Sequence, residues 1–506
     1  MGNYSSWIGN FSVWLPFGTY LIWINFSPVT LTKAELNAPE DIITCATTRH
    51  GPLPHYSDTF WAHHGRETCI DMGHMGIAMM TTMFTVGGFV ASVLAGSSSL
   101  SANVGRRSMC MLSSFMYVVG SALIMWANSL LEICIGRFIA GLGAGSSLVM
   151  GPLLISELTP PNHRGLLGSL VQLAVAIGIL SAQLVSYAFA NNQQWRLIFF
   201  VATIMGLVQF VALFTTHESP KWMVMNTGDV HGATSILHDL RSTRLRAQRE
   251  IKHYRRLSKV VDDEDGQEAT EQSLLLASRG ESTPSDDSQV ANTEEPTEPV
   301  HATPFEFMTS QEYWPQFRAV ALLLTGQQLC GMNGITFYGV SFLSPIFKDP
   351  LMIACSISLC NVICAIAVSP IVDRWGRKPL LLLSVITMCV CALAIGIGMQ
   401  FHIEAVVAIA CFGFVAGYSV GMAPIPFLMI SELAHHESVG AAQAVGGALN
   451  WLANISLAYF FPLVEAKVGG GIFYGFAAIS AGYAILTALY VPETHGKSHE
   501  EVWDGI

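Results

Sequence analysis

The chain has 506 residues, 51% of them hydrophobic and only 12% charged, against roughly 25% charged usage in soluble domains. That composition excludes a soluble globular protein and indicates a chain that crosses a bilayer many times. The formal net charge of −11 says little about partners, because most of the acid falls in one central loop; no nucleic-acid partner is expected.

In chain order, the first apolar run covers residues 15–37. No Lys or Arg precedes Lys33, so it lacks the basic flank of a cleaved signal peptide and is expected to be retained as a span. The loop after it holds Cys45 and Cys69, the two cysteines of eleven that fall outside apolar runs. It faces the oxidising, non-cytoplasmic side, and the residues leave a disulfide between them open. Five histidines crowd the same loop without acidic or thiolate ligands at metal spacing, so no metal is expected. Five further runs, at 72–95, 108–126, 130–150, 166–190 and 195–215, are each long enough to cross a hydrocarbon core of roughly 30 Å.

Residues 217–317 change character. Arg241, Arg244, Arg246, Arg249, Lys252, Arg255, Arg256 and Lys259 form a basic, helical stretch, read either as lying at an anionic leaflet or as a solvated helix face. Residues 262–299 are acidic, rich in Ser, Thr and Pro, and expected to be disordered. Within them Glu271, Leu275 and Leu276 fit an acidic dileucine sorting signal and imply a sorting adaptor as partner. Six more runs follow at 318–342, 352–372, 379–399, 405–430, 439–464 and 472–491, making twelve. The expected division is an N-terminal six-helix half (1–216), a cytoplasmic loop (217–317), a C-terminal six-helix half (318–493) and a short cytoplasmic tail (494–506). Basic residues in the short loops put the central loop and both termini in the cytoplasm, with the weight of that assignment resting on the central loop.

The two halves repeat each other. Gly376-Arg377-Lys378 follows Gly105-Arg106-Arg107 by 271 residues, Ile430-Ser431-Glu432-Leu433 follows Ile155-Ser156-Glu157-Leu158 by 275, and Glu493-Thr494 follows Glu218-Ser219 by 275. A period this long, carried by apolar runs with charged punctuation, is that of an all-α transporter built from two parallel halves.

Several strings are more specific: Gly136-Arg137-Phe138 with Gly141, Gly143 and Gly145; Ser156-Glu157 with Arg164-Gly165; Glu218-Ser219-Pro220-Lys221-Trp222; Gln327-Gln328 with Gly331-Met332-Asn333-Gly334; Asp373-Arg374-Trp375-Gly376-Arg377-Lys378; Asn450-Trp451 with Asn454; and Pro492-Glu493-Thr494. Together they make the chain similar to the sugar porters of the major facilitator superfamily, the group of glucose facilitators and fungal hexose transporters. The string Glu35-Leu36-Asn37-Ala38-Pro39-Glu40 is most like a fungal branch that includes vacuolar membrane proteins. The resemblance implies twelve helices around a central sugar cavity, no cofactor and no enzymatic activity. It also implies a multi-pass protein of the vacuolar membrane, with the plasma membrane as the alternative.

A sugar hydroxyl both donates and accepts, as a carboxamide does, so the intramembrane amides Gln172, Gln327, Gln328, Asn333, Asn361, Asn450 and Asn454 are the candidate sugar ligands, with Trp451 and Phe427 on the sugar's apolar face. Gln183 reads instead as glue between helices. Gly331 and Gly334 are expected to loosen the seventh helix beside the cavity. Arg107, Glu157 and Arg164 in one half, with Asp373, Arg374, Arg377 and Glu432 in the other, are candidate gating charges at the cytoplasmic helix ends; Arg137, inside the fourth run, is a further candidate salt-bridge residue, the resemblance pairing it with a first-span Asp in proton-linked members. Two departures from the family bear on function: Thr32 stands where proton-linked members carry Asp, and Phe427 where glucose facilitators carry Trp. The sequence therefore reads as a facilitative hexose transporter, the alternatives being a non-transporting sugar receptor on the same fold or a proton-coupled transporter of a sugar or polyol.

Overall fold

A computed structural model describes residues 61, 70, 74–96, 104–159, 164–189, 194–241, 245, 247–252, 254–255, 303–434, 438–494 and 502–503. Eleven of the twelve apolar runs coincide with helical segments; the first, at 15–37, lies outside the described residues, as do Cys45, Cys69, Glu271, Leu275 and Leu276. In the N-terminal half these are α1 (His74–Gly96), α2 (Arg106–Trp126), α3 (Leu130–Leu158), α4 (Arg164–Phe189) and α5 (Trp195–Leu213). In the connection α6 (Val230–Leu240) and α7 (Pro304–Thr309) are helical. The C-terminal half holds α8 (Trp314–Leu329), α9 (Met332–Leu343), α10 (Pro350–Trp375), α11 (Arg377–Gln400), α12 (Glu404–Val420), α13 (Ile425–Leu433), α14 (Val439–Val468) and α15 (Ile472–Tyr490).

Local sequence explains many of the boundaries. The Ser129 side chain caps α3 by accepting from the Glu132 amide, while the Glu132 carboxylate accepts from the Asn128 amide at 2.7 Å. Thr303 and Glu306 form a reciprocal capping box on α7. Pro occupies the first turn of α8 and of α10, where its missing N–H costs nothing. Two of the twelve runs are interrupted. The seventh divides at Gly331 into pieces of 16 and 12 residues, each too short to cross a bilayer alone. The tenth divides at Gly421, with a turn before α13.

Packing repeats as the sequence does. In the first half α3 lies against α1 and α2, and α5 against α2; in the second, α12 lies against α10 and α11, and α15 against α11. Even single hydrogen bonds recur: the Ser113 hydroxyl donates to the Gly143 carbonyl at 2.5 Å and the Ser384 hydroxyl to the Gly417 carbonyl at 2.6 Å. Glycine allows α1 and α3 to touch backbone to backbone, since a Cβ on Gly145 would lie 2.1 Å from the Gly88 carbonyl oxygen. The halves meet along two seams, α1 with α14 and α4 with α10.

In the connection, Val224, Ala233, Leu237, Ala247, Ile251 and Tyr254 close a small apolar core. Of the basic stretch, Arg241 turns inward. It pairs with Glu250 at 2.9 Å and donates to the Leu158 carbonyl at 2.9 Å, tying the connection to the end of α3. Arg249, Lys252 and Arg255 stay exposed, as a solvated helix face requires. Beyond α15, the Trp503 indole N–H donates to the Leu433 carbonyl at 2.9 Å, fastening the tail to the end of α13.

Candidate functional site

The two interrupted helices meet. Gly331 sits at φ +100°, a left-handed backbone that an L side chain resists. It also lies so close to the Phe476 ring that a Cβ would approach within 2.7 Å. Gly334 lies against Phe461 in the same way, and Tyr338 stacks on Phe461 with centroids 4.8 Å apart. The expected loosening of the seventh helix is thus a defined break, set by one residue's backbone and an aromatic wall. The break at Gly421 leaves carbonyls without helical partners. The Gln327 carboxamide donates to two of them, Met422 O at 2.8 Å and Ala423 O at 3.3 Å, satisfying groups that lipid cannot.

From Gln327 a chain of amides runs between the α8–α9 joint and α14. Asn450 donates to the Gln327 carboxamide oxygen at 2.9 Å and to Leu324 O at 2.9 Å. Gln328 donates to the Asn450 oxygen at 3.0 Å. Asn333 donates to the Gln328 oxygen and, at 3.1 Å, to the Asn454 oxygen. All five are buried, 3% to 8% exposed. Capacity is unevenly spent: Gln327 and Asn450 have both ends engaged, whereas among the described residues the Asn333 oxygen and the Asn454 N–H2 group make no hydrogen bond. The network can therefore take a hydroxyl at its Asn333–Asn454 end without being dismantled.

The other candidates separate. Asn361, on α10, accepts from the Ser419 hydroxyl at 2.8 Å. It lines a small cavity with Thr336, Ser358 and Gln183, the last reaching in from α4. Gln183, which sequence reasoning set aside as glue, is 4% exposed and its carboxamide oxygen accepts no hydrogen bond. Its spacing from Gln172 was the available signal, eleven residues and three turns along one helix face. The Gln172 side chain lies outside the described residues. Trp451 is buried at the seam between halves, where a Cβ on Gly88 of α1 would lie 2.4 Å from its ring. Phe427 is 40% exposed on α13, outside the buried network.

The charged ends form two matching clusters. Arg106 pairs with Glu157 at 3.4 Å, and Arg377 with Glu432 at 3.2 Å. The Glu218 carboxylate accepts from the Arg107 amide at 2.9 Å, and Glu493 from the Arg377 and Lys378 amides at 2.9 and 3.0 Å, so each carboxylate meets the positive end of a helix. Arg107, a candidate gating charge, donates to Leu213 O at 2.9 Å and Phe214 O at 3.0 Å. Lys378 does the same at Ala488 O, 2.8 Å. The first basic residue after the glycine pairs with the acid of its own half and the second anchors that half's last helix. Aligning Gly105 with Gly376 would have assigned the partner to Arg106. Both pairs close within one half. Arg137 is fully buried, its guanidinium 5.6 Å from the Phe199 ring centre. The side chains of Arg164, Asp373 and Arg374 lie outside the described residues.

Comparison with known proteins adds identity to this geometry. The family profile described as "Sugar (and other) transporter" matches residues 48–280 and 264–504. A probable metabolite transport protein of Saccharomyces cerevisiae is 32% identical over 93% of this chain and 91% of its own length. The vacuolar protein sorting-associated protein 73 of the same yeast is 28% identical over 91% and 90%. The human solute carrier family 2 facilitated glucose transporter member 4 is 26% identical over 92% and 86%. Among solved structures, the xylose transporter XylE from E. coli in a partially occluded inward-open conformation superposes with a TM-score of 0.70 at 18% identity, covering 96% of this chain and 99% of that one.

Proposed function

The chain belongs to the sugar (and other) transporter family, and from that premise we propose that it carries a hexose or similar monosaccharide across its membrane by alternating access. The observation that carries this reading is the amide network itself: five buried carboxamides, joined at two helix breaks inside an apolar bundle, ending in an unspent acceptor and donor. Intramembrane polar groups default to function, and neutral ones suit a neutral polyhydroxylated solute. Sugar held between Asn333 and Asn454 would lie beside α9 and α14, and α14 forms one of the seams along which the halves part. The test is uptake by the purified protein in liposomes against a panel of labelled monosaccharides; saturable uptake of at least one is expected, and none above empty liposomes would refute transport.

The mode proposed is facilitated diffusion, because Thr32 offers no titratable group where proton-linked relatives carry Asp. An imposed proton gradient should then drive no accumulation of sugar in proteoliposomes. The proposed location is the vacuolar membrane, supported by the Glu271, Leu275, Leu276 string and by the name of the yeast sorting-associated relative. Changing Leu275 and Leu276 to Ala should shift a tagged protein to the plasma membrane; an unchanged distribution would argue against an adaptor at this loop.

A further inference from the structure

Gln183 is out of place as glue. A glue residue spends its carboxamide on a neighbouring helix, yet the Gln183 oxygen is buried and accepts nothing, an arrangement that costs stability unless something supplies a donor. What it faces is the cavity it shares with Asn361, Thr336 and Ser358, among apolar neighbours such as Ile335 and Val415. The cavity is narrow where these side chains meet, with room for a water or a hydroxyl. Met332, Ile335, Thr336 and Gly339 line it from α9, the helix whose Asn333 enters the amide network, and Thr336 lies one turn along from Asn333.

The polar groups meeting there are complementary. Gln183 presents an acceptor. Asn361 has its oxygen occupied by Ser419, leaving its N–H2 group as a donor on a residue that lines the cavity. One acceptor and one donor are what a single hydroxyl satisfies at once. They come from opposite halves, Gln183 on α4 and Asn361 on α10, across a seam where the halves pack.

We infer that Gln183 and Asn361 form a subsite for one hydroxyl of the transported sugar, which donates to the Gln183 oxygen and accepts from the Asn361 N–H2 group, bridging the two halves. The subsite rests on the proposed function and extends it: Gln183 becomes a specificity-determining residue, selecting sugars that carry a free hydroxyl at one ring position.

The test uses the full-length protein and the best-bound of D-glucose, D-galactose, D-mannose and D-fructose, followed by that sugar's monodeoxy analogues. Gln183→Leu should weaken binding of the parent sugar roughly two- to twelvefold, the loss of one neutral hydrogen bond. One analogue alone should bind wild type and Gln183→Leu equally, because the hydroxyl that Gln183 reads is already missing. Asn361→Leu, run through the same series, should single out the same position, and it decides the question if Gln183→Leu does not fold. Wild-type affinity in the variant, an equal loss with every analogue, or two different positions for the two variants overturns the subsite while leaving transport standing. Failure of wild type to bind any of the four sugars overturns both the subsite and the proposed hexose.

Discussion

Gln327 and Asn333 carry the same carboxamide chemistry and different duties. Gln327 spends its N–H2 group on the carbonyls freed at the tenth-run break and its oxygen on Asn450; Asn333 keeps its oxygen uncommitted. Gln327→Ala should therefore act mainly on stability, stranding two buried carbonyls at a cost of about 1–3 kcal/mol, read as a lower unfolding temperature in detergent. Asn333→Ala and Asn454→Ala should act mainly on sugar, weakening equilibrium binding by roughly two- to twelvefold in protein that remains folded. Unchanged affinity in both would take the Asn333–Asn454 end out of the site. The residue types at these positions were legible in the sequence; their division of labour was not, because it depends on which partner, more than 90 residues away, arrives at each carboxamide.

The break at Gly331 is the element on which the site depends. Its left-handed backbone and the Phe476 ring both refuse a side chain, so Gly331→Ala should cost at least about 1–2 kcal/mol from backbone conformation alone and shift α9 relative to α14. Gly447→Ala on α14, where a Cβ meets nothing within 4 Å, is the matched control and should leave the unfolding temperature unchanged or slightly raised. Elements were the most readable level of this chain. Apolar runs gave eleven helical segments at nearly the observed positions, and the string Gly331-Met332-Asn333-Gly334 marked the seventh for loosening. The second break was signalled only by Pro424 and Pro426 after Gly421, and what requires glycine there is tertiary: the Leu380 carbonyl, 2.5 Å from a Cβ placed at 421, and the Ser384 side chain, 2.8 Å from it. Trp451 was legible as large and intramembrane, but its burial against Gly88 belongs to a seam between chain segments some 360 residues apart, which no local pattern encodes.

At the scale of the molecule, that seam is where the halves bear on each other. Gly88→Leu should wedge α1 from α14 and slow transport while leaving each half's internal packing in place, and Trp451→Ala in the same chain should recover part of the loss; equal uptake by wild type and Gly88→Leu would show that the seam carries no motion. The carboxylates at the helix ends belong to single halves, so Glu218→Gln and Glu493→Gln should weaken matching helix starts by similar amounts, on the order of 0.3–2 kcal/mol each, measured as unfolding-temperature shifts of similar size. The amide network also bears on what happens when the protein is empty. Gln327, Asn450, Gln328, Asn333 and Asn454 satisfy one another through the chain's own side chains, so closure of the halves without solute would strand few of the site's polar groups. The unloaded carrier then has little electrostatic obstacle on its return stroke, and a carrier that returns unloaded is one that moves solute net downhill rather than only trading one molecule for another. Uptake into sugar-free vesicles should accordingly proceed at a rate comparable to exchange between sugar-loaded compartments.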